Sequence, residues 1–370
     1  MRDQGQGHIR QRGKQSWELK FDLGRDPQTG KRRVRYASFK GTKRAAQLAL
    51  TRLISENAVG GSVDPSKITV AEFVERWLRD WAQAHVSAKT LERYRELLRN
   101  HVSARIGQAQ LQKLGAVHIN ELYGELLRPR ATGGAGLAPR TVGHVHRALH
   151  RALGHANDWD LVQKNVASLV SPPRVAATEI ETLSAVEVQR VLAKLKGRTI
   201  YPIAALALAT GMRRGELLAL RWSDVKLEHA KLNVEQSLEQ TKAGLRFKSP
   251  KTKHGRREIT LSPSAVTLLR EHRKAQQEMR LRLGLGKAAD NALVFAAWDG
   301  KVRSPNALTK EWSVAMKEVG LSVTFHSLRH THASHLIASG LDVLAISRRM
   351  GHGSPAINAW GVWPPLPKHR

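Results

Sequence analysis

The sequence predicts a mainly α protein with small β-sheets. Apolar residues recur at helical spacing through most of the chain after residue 68. Period-two alternation is confined to short stretches near the N-terminus and around residues 230–262. Two joints rich in Gly, Ser and Pro, GGSVDPSK (60–67) and SLVSPPRVAATE (168–179), divide the 370 residues into parts spanning 1–60, 68–170 and 180–370.

The first part reads as a β-plus-helix unit. In SWELKFDLG, Trp17, Leu19 and Phe21 alternate onto one face, and RVRYASF alternates again. Turn residues in RDPQTGKRR separate the two. Ala46, Leu48, Leu50 and Leu53 then recur at helical spacing. The strands carry Lys20, Arg32, Arg33, Arg35 and Lys40, and a basic β-ribbon is one way into a DNA groove.

The second part reads as helices. TVAEFVERWLRDWA is amphipathic, with Thr69 as N-cap and Phe73, Val74 and Trp77 facing inward. SAKTLERYRELLRNHV and APRTVGHVHRALHRALGHAND follow. His144, His146, His150 and His155 share no face with a carboxylate, so they read as basic or polar surface rather than metal ligands. Lys89-Thr90 and Arg140-Thr141 place a cation and a hydroxyl at positive helix ends, which suits phosphate contact.

The third part opens with helices in SAVEVQRVLAKL and TIYPIAALALAT. AKLNVEQSL and RREITLS read as strands flanking TKAGLRFKSPKTKHG, and SPSAVTLLREHRKAQQEMRL as a long basic helix.

Composition narrows the partners. Lys plus Arg number 61 against 31 Asp plus Glu, a net charge of +30, which points to a polyanion, with nucleic acid the leading choice. Cysteine is absent, which excludes disulfides, thiol catalysis and cysteine metal sites. The N-terminus lacks a signal-peptide core, and the longest apolar run, Ile203–Ala209, is too short to span a bilayer. A cytoplasmic protein is expected.

Four stretches of the third part carry chemistry. In ATGMRRGELLALRW, Gly211 stops one helix and Arg213 sits at the mouth of the next, where a guanidinium can fork onto two phosphate oxygens. Lys251, in FKSPKTKHGRRE, lies in the strand connection and could reach a leaving oxygen. In FHSLRHTHASHL, His326 and Arg329 stand three apart and share a helix face. A zinc site there would need an acidic partner, and the stretch has neither Glu nor Asp. Last comes Gly351-His352, closing a short helix.

In this order, Arg…Lys…His-x-x-Arg…His, the chain resembles the tyrosine recombinases of the phage integrase family. TGMRRGELLALRW, HSLRHTHASHL and LAISRRMGH match the family's most diagnostic boxes. The resemblance implies an arm-binding domain at 1–60, a helical core-binding domain at 68–170 and a catalytic domain at 180–370, altered after about 357. It implies that Arg213 and Arg329 hold the non-bridging oxygens of a scissile phosphate. Lys251 would protonate the departing 5′ oxygen, His326 assist proton transfer at the nucleophile, and His352 hydrogen-bond the phosphate. Two fixed guanidiniums would supply the charge stabilisation that a metal supplies elsewhere, so no cofactor is expected. The implied partners are duplex DNA at core and arm sites, a homotetramer on that DNA, and accessory DNA-bending or directionality proteins.

The tail departs from this pattern. The family's attacking tyrosine would fall at Val362, and the four tyrosines of the chain are Tyr36, Tyr94, Tyr123 and Tyr201. A slip of reading frame near Asn358 accounts for the difference: one synonymous coding, read one base later, gives TLGVYGHLFPNT, with tyrosine at the position of Val362. Loss of strand cleavage is expected, and a DNA-binding protein that occupies recombination sites without cutting is the alternative reading.

Overall fold

The computed structural model describes residues 7–25, 31–59, 66–129, 135–176, 181–250 and 255–351, the side chains of 23–25, 33 and 56–59 excepted. These form two compact units, residues 1–175 and 176–370.

The first unit contains two separate hydrophobic clusters. In the smaller, β1 (His8–Gly13), β2 (Ser16–Arg25) and β3 (Arg32–Lys40) form an antiparallel sheet in the order β1-β2-β3. Trp17, Leu19 and Phe21 pack against Ala46 and Leu50 of α1 (Lys43–Val59). Leu48 corrects the helical reading: it is 67% exposed. Two residues amount to about 200° of helix turn, so Leu48 cannot share a face with both Ala46 and Leu50.

The larger cluster is helical. Thr69 caps α2 (Val70–Trp77) through a box in which its hydroxyl accepts from the Glu72 N–H and Glu72 accepts from the Thr69 N–H. This helix runs through a π-helical turn, Leu78–Ala82, into α3 (Gln83–His85). In the same way α4 (Ala88–Leu97) passes through Leu98–Ser103 into α5 (Ala104–Ile106). Next come α6 (Ala116–Leu127) and α7 (Pro139–Asp158). As the periodicity predicts, Phe73, Val74 and Trp77 are buried, and Leu97 and Leu98 are buried with them.

Two of the α7 histidines are not mere surface. His146 Nδ1 pairs with the Tyr123 hydroxyl at 2.8 Å, and His155 Nδ1 accepts from Trp77 Nε1 at 2.8 Å. His155 stacks among Trp77, Trp81 and Trp159, and burial pushes its pKa down. A ring with an apolar body and two polar atoms packs at the edge of a core once one nitrogen finds a partner.

The second unit begins with α8 (Ala185–Leu195), capped by a Ser184–Glu187 box, followed by α9 (Tyr201–Thr210) and the short α10 (Arg214–Leu218). The strands β4 (Val225–Lys226), β5 (Lys231–Val234) and β8 (Arg257–Thr260) make one antiparallel sheet in the order β4-β5-β8. Between β5 and β8 the chain folds a hairpin, β6 (Ser237–Thr241) and β7 (Gly244–Lys248), in place of the continuous connection expected. The helices α11 (Pro263–Arg282), α12 (Pro305–Val319), α13 (Ser327–Ala338) and α14 (Val343–Met350) complete the unit. Trp312 anchors the core, its indole N–H donating to the Val323 carbonyl at 2.8 Å. Among the described residues, no helix is long and apolar enough to cross a membrane.

Candidate active site

The site forms where α9, α10, α13 and α14 end or begin. Helix α9 stops at Gly211, whose φ of +65° is a conformation that a Cβ penalises. A Cβ at this position would lie 2.6 Å from Met350 Sδ and 2.7 Å from His332 Cδ2, so glycine lets three segments meet. Gly211→Ala is expected to cost about 2–4 kcal/mol in a urea titration, the sum of a left-handed alanine and a core overlap.

Arg213 is the N-cap of α10. Its Nη1 donates to Glu216 Oε1 at 2.8 Å, and its backbone N–H donates to Glu216 Oε2 at 3.0 Å. A carboxylate one turn into the helix thus fixes both the main chain and the guanidinium. The neighbouring Arg214 turns away and donates to the Pro305 carbonyl at 3.0 Å and to the Thr309 hydroxyl.

Arg329 lies in the first turn of α13, with only 3% of its surface exposed. Its Nη1 donates to the Gly211 carbonyl at 2.6 Å and its Nη2 to the Met350 carbonyl at 2.5 Å. Among the described residues, no carboxylate forms an ion pair with it. Burial, and then the nearby Arg213 charge, push its pKa down to about 9, which leaves it a cation at neutral pH.

Helix α14 ends on Gly351 in the left-handed conformation, φ 66°. The last carbonyls of a helix lack intrahelical partners and carry the negative end of its dipole. Here three successive carbonyls each receive an arginine. Arg349 O accepts from Arg257 Nε at 2.7 Å, Met350 O from Arg329 Nη2 at 2.5 Å, and Gly351 O from Arg213 Nη2 at 3.1 Å. The Arg349 side chain turns inward, donating to the Thr260 carbonyl at 3.0 Å and to His332 Nε2 at 3.2 Å. His332 Nδ1–H in turn donates to Leu208 O at 2.7 Å, so both ring nitrogens are used by the neutral ring. Burial, and then Arg349, push its pKa down to about 4.

Arg213 and Arg329, 116 positions apart in sequence, therefore meet at the end of one helix. His326 is the exposed N-cap of the helix that carries Arg329, with its ring edge-on to His330 at 4.8 Å. Lys251, His352 and Val362 lie outside the described residues. Arg257, Glu216, His332 and Arg349 were not singled out by the sequence reading.

The basic residues of the first unit divide. Lys89 is paired with Glu92 at 3.3 Å, and Thr90 Oγ1 bonds Ser87 Oγ at 2.9 Å. Arg140 is exposed and Thr141 half-buried at the start of α7. The Arg33 side chain lies outside the described residues. Arg35 is the register partner of the buried Phe21, which puts it on the core-facing side of the sheet. The other face carries a row formed by His8, Lys20 and Tyr36, with Lys20 Nζ 5.7 Å from the Tyr36 ring centre, and Arg10 beside it. Arg10 and Tyr36 escaped the sequence reading because register decides the face and a strand's partners are not legible locally. Among the described residues, no three His, Asp or Glu side chains gather as metal ligands.

Comparison with known proteins decides the family. Residues 179–360 match the phage integrase family, and residues 69–127 match the phage integrase N-terminal SAM-like domain. An integrase of Streptomyces ambofaciens is 30% identical over 353 residues, spanning 93% of this chain and 88% of that protein. This chain belongs to the phage integrase family. The members of this family are tyrosine recombinases, enzymes of site-specific recombination. A tyrosine recombinase XerC-like protein of Caldanaerobacter subterraneus is 26% identical over 366 residues, covering 94% of this chain and 92% of its own. The fold is shared with a lambda integrase dimer bound to a COC' core site, with TM-score 0.60, 18% identity and coverage of 100% and 99%. It is shared as well with the Tn1549 transposon integrase in complex with a circular intermediate DNA, with TM-score 0.67, 18% identity and coverage of 80% and 95%. For this integrase, the mainly α architecture with small antiparallel sheets is thus the recombinase fold that the motifs implied.

Proposed function

We propose that this integrase binds duplex DNA and seats one backbone phosphate between Arg213 and Arg329, in a site built for strand exchange whose attacking group is missing. The observation that carries this reading is the convergence of the two guanidiniums at the end of α14, one of them buried and, among the described residues, in no ion pair with a carboxylate. A phosphodiester places one negative charge over two non-bridging oxygens, and that charge grows as a fifth oxygen approaches phosphorus. Fixed, partly desolvated guanidiniums stabilise the growth more than they stabilise the ground state.

In the full reaction a tyrosine oxygen would bond to phosphorus while the bond to the 5′ oxygen breaks. The proton needed by that oxygen would come from Lys251. His326 would assist proton transfer at the nucleophile, and His352 would hydrogen-bond the phosphate. The phosphotyrosine conserves the diester's energy, so rejoining needs no nucleotide. In this chain Val362 occupies the position expected for the tyrosine, which removes the first step.

The net charge of +30 supports a DNA partner, with residues 1–60 on arm sites and 68–170 and 180–370 around the core site. A homotetramer is supported by a solved lambda integrase tetramer bound to a Holliday junction, with TM-score 0.60. Accessory DNA-bending or directionality proteins would complete the assembly. The absent tyrosine favours a second reading, a protein that occupies recombination sites without cutting them.

The test uses duplexes selected by the full chain from a random pool, nicked so that cleavage traps the protein. Salt-sensitive binding without a covalent adduct is expected. An adduct formed by the chain as written would mean that another residue attacks, and would overturn the proposed loss of the nucleophile.

A further inference from the structure

We propose that Arg257 is a positioning residue, which holds Arg213 and the end of α14 in the geometry that the phosphate site needs. The inference rests on the reading of Arg213 and Arg329 as phosphate ligands.

Arg257 stands on β8, in the core-facing alternation with Ile259. Its side chain is 6% exposed, and it faces Glu216, whose side chain is 4% exposed. Its donors are nearly all used. Nη2 donates to Glu216 Oε2 at 2.9 Å and Nη1 to Glu216 Oε1 at 3.3 Å. The same Nη1 reaches the Gly255 carbonyl at 3.2 Å, while Nε reaches the Arg349 carbonyl at 2.7 Å. Four of the five N–H groups of a guanidinium are therefore engaged, which leaves too few for a forked phosphate contact. Arg257 is not a third phosphate ligand.

Its targets give it another use. Glu216 is the carboxylate that fixes the Arg213 main chain and guanidinium. Arg349 O immediately precedes the carbonyls held by Arg329 and Arg213. A single buried cation thus ties β8 to both sides of the site. Glu216 without Arg257 would answer to Arg213 alone and draw that guanidinium inward. With Arg257 in place the carboxylate is shared, and the rest of the Arg213 fork stays available. Outer partners of this kind set the aim of the groups that touch the ligand, and their loss costs about 10–100-fold in affinity at comparable metal sites.

The test measures binding of inorganic orthovanadate to the full-length chain by vanadium NMR line broadening, with variants compared well below their melting temperatures. Arg257→Lys keeps a cation beside Glu216 but cannot reach the two carbonyls at once. About tenfold weaker binding is expected from Arg257→Lys in the otherwise unchanged chain, and less than about twofold in an Arg213→Lys background, because the residue acts through Arg213. Arg257→Gln, which keeps an amide donor without the charge, should follow the same pattern and serves if the lysine variant does not fold. Equal weakening in both backgrounds would mark a general structural role and overturn the inference. So would unchanged binding in Arg257→Lys while Arg213→Lys and Arg329→Lys both weaken it. If neither Arg213→Lys nor Arg329→Lys weakens binding, the phosphate-site reading fails first, and the role of Arg257 falls with it.

Discussion

Replacing residues 358–370 with TLGVYGHLFPNT is expected to turn a chain that forms no adduct on nicked duplexes into one that does, a gain of about a millionfold. The size follows from what a tethered nucleophile supplies. On the proposed reading Arg213 and Arg329 would lower the barrier at phosphorus, and the attacking group is what the present tail would lack. An oriented intramolecular nucleophile is worth an effective concentration of about 10⁵–10⁸ M. Tyr201 and Tyr123 are not expected to substitute. Tyr201 opens the helix whose far end carries the site, about 14 Å away at 1.5 Å per residue. Tyr123 is buried, bonded to His146, with a pKa pushed up by burial. Val362→Tyr alone, set in the present tail, should recover less than the whole segment, because the flanking residues must also hold the ring. Denaturing electrophoresis of the trapped complexes reads all three chains. Tight binding with no adduct after restoration would mean that the loss lies in the phosphate site rather than in the tail.

The fold was legible where the signal is local. Thr69 with Glu72 is a helix start that can be read from four residues, and Gly211 is a helix stop read from one. The β6–β7 hairpin was not legible. SLEQTKAGLRFK alternates weakly, and what closes the hairpin is a cross-strand cluster in which Glu239 meets Arg246 and Lys248. The site was half legible. Arg213, His326 and Arg329 carry family motifs, but Arg257 and Arg349 sit in RRE and SRR runs that look like solvated charge. Their burial arises from contacts over 41 and 89 residues, Arg257 with Glu216 and Arg349 with the Thr260 carbonyl. One signal was available. Arg257 falls in the same alternation as Ile259 and Leu261, which points an arginine at a core and calls for a buried acid.

That acid is the second large lever. Glu216→Gln is expected to lower stability by about 3 kcal/mol or more, since it leaves Arg257 a buried cation with no ionic partner. The same variant should change how stability responds to acid. Burial raises the Glu216 pKa, but the hydrogen bond from Arg257 and the charges of Arg257 and Arg213 outweigh it and hold the group below the usual carboxylate value of 4.5. Between that lowered value and 4.5 the unfolded chain binds the proton and the folded chain does not, so stability rises with pH across the window. The contribution is complete above 4.5 and disappears as pH falls through the folded value. In Glu216→Gln this part of the slope should vanish, leaving a flatter urea-unfolding profile below about pH 4.5 beside the lower plateau at neutral pH. The two effects separate the charge from the shape. A variant that is less stable at every pH, with an unchanged acid slope, would show that Glu216 acts by packing and hydrogen-bond geometry rather than as the buried anion between two arginines.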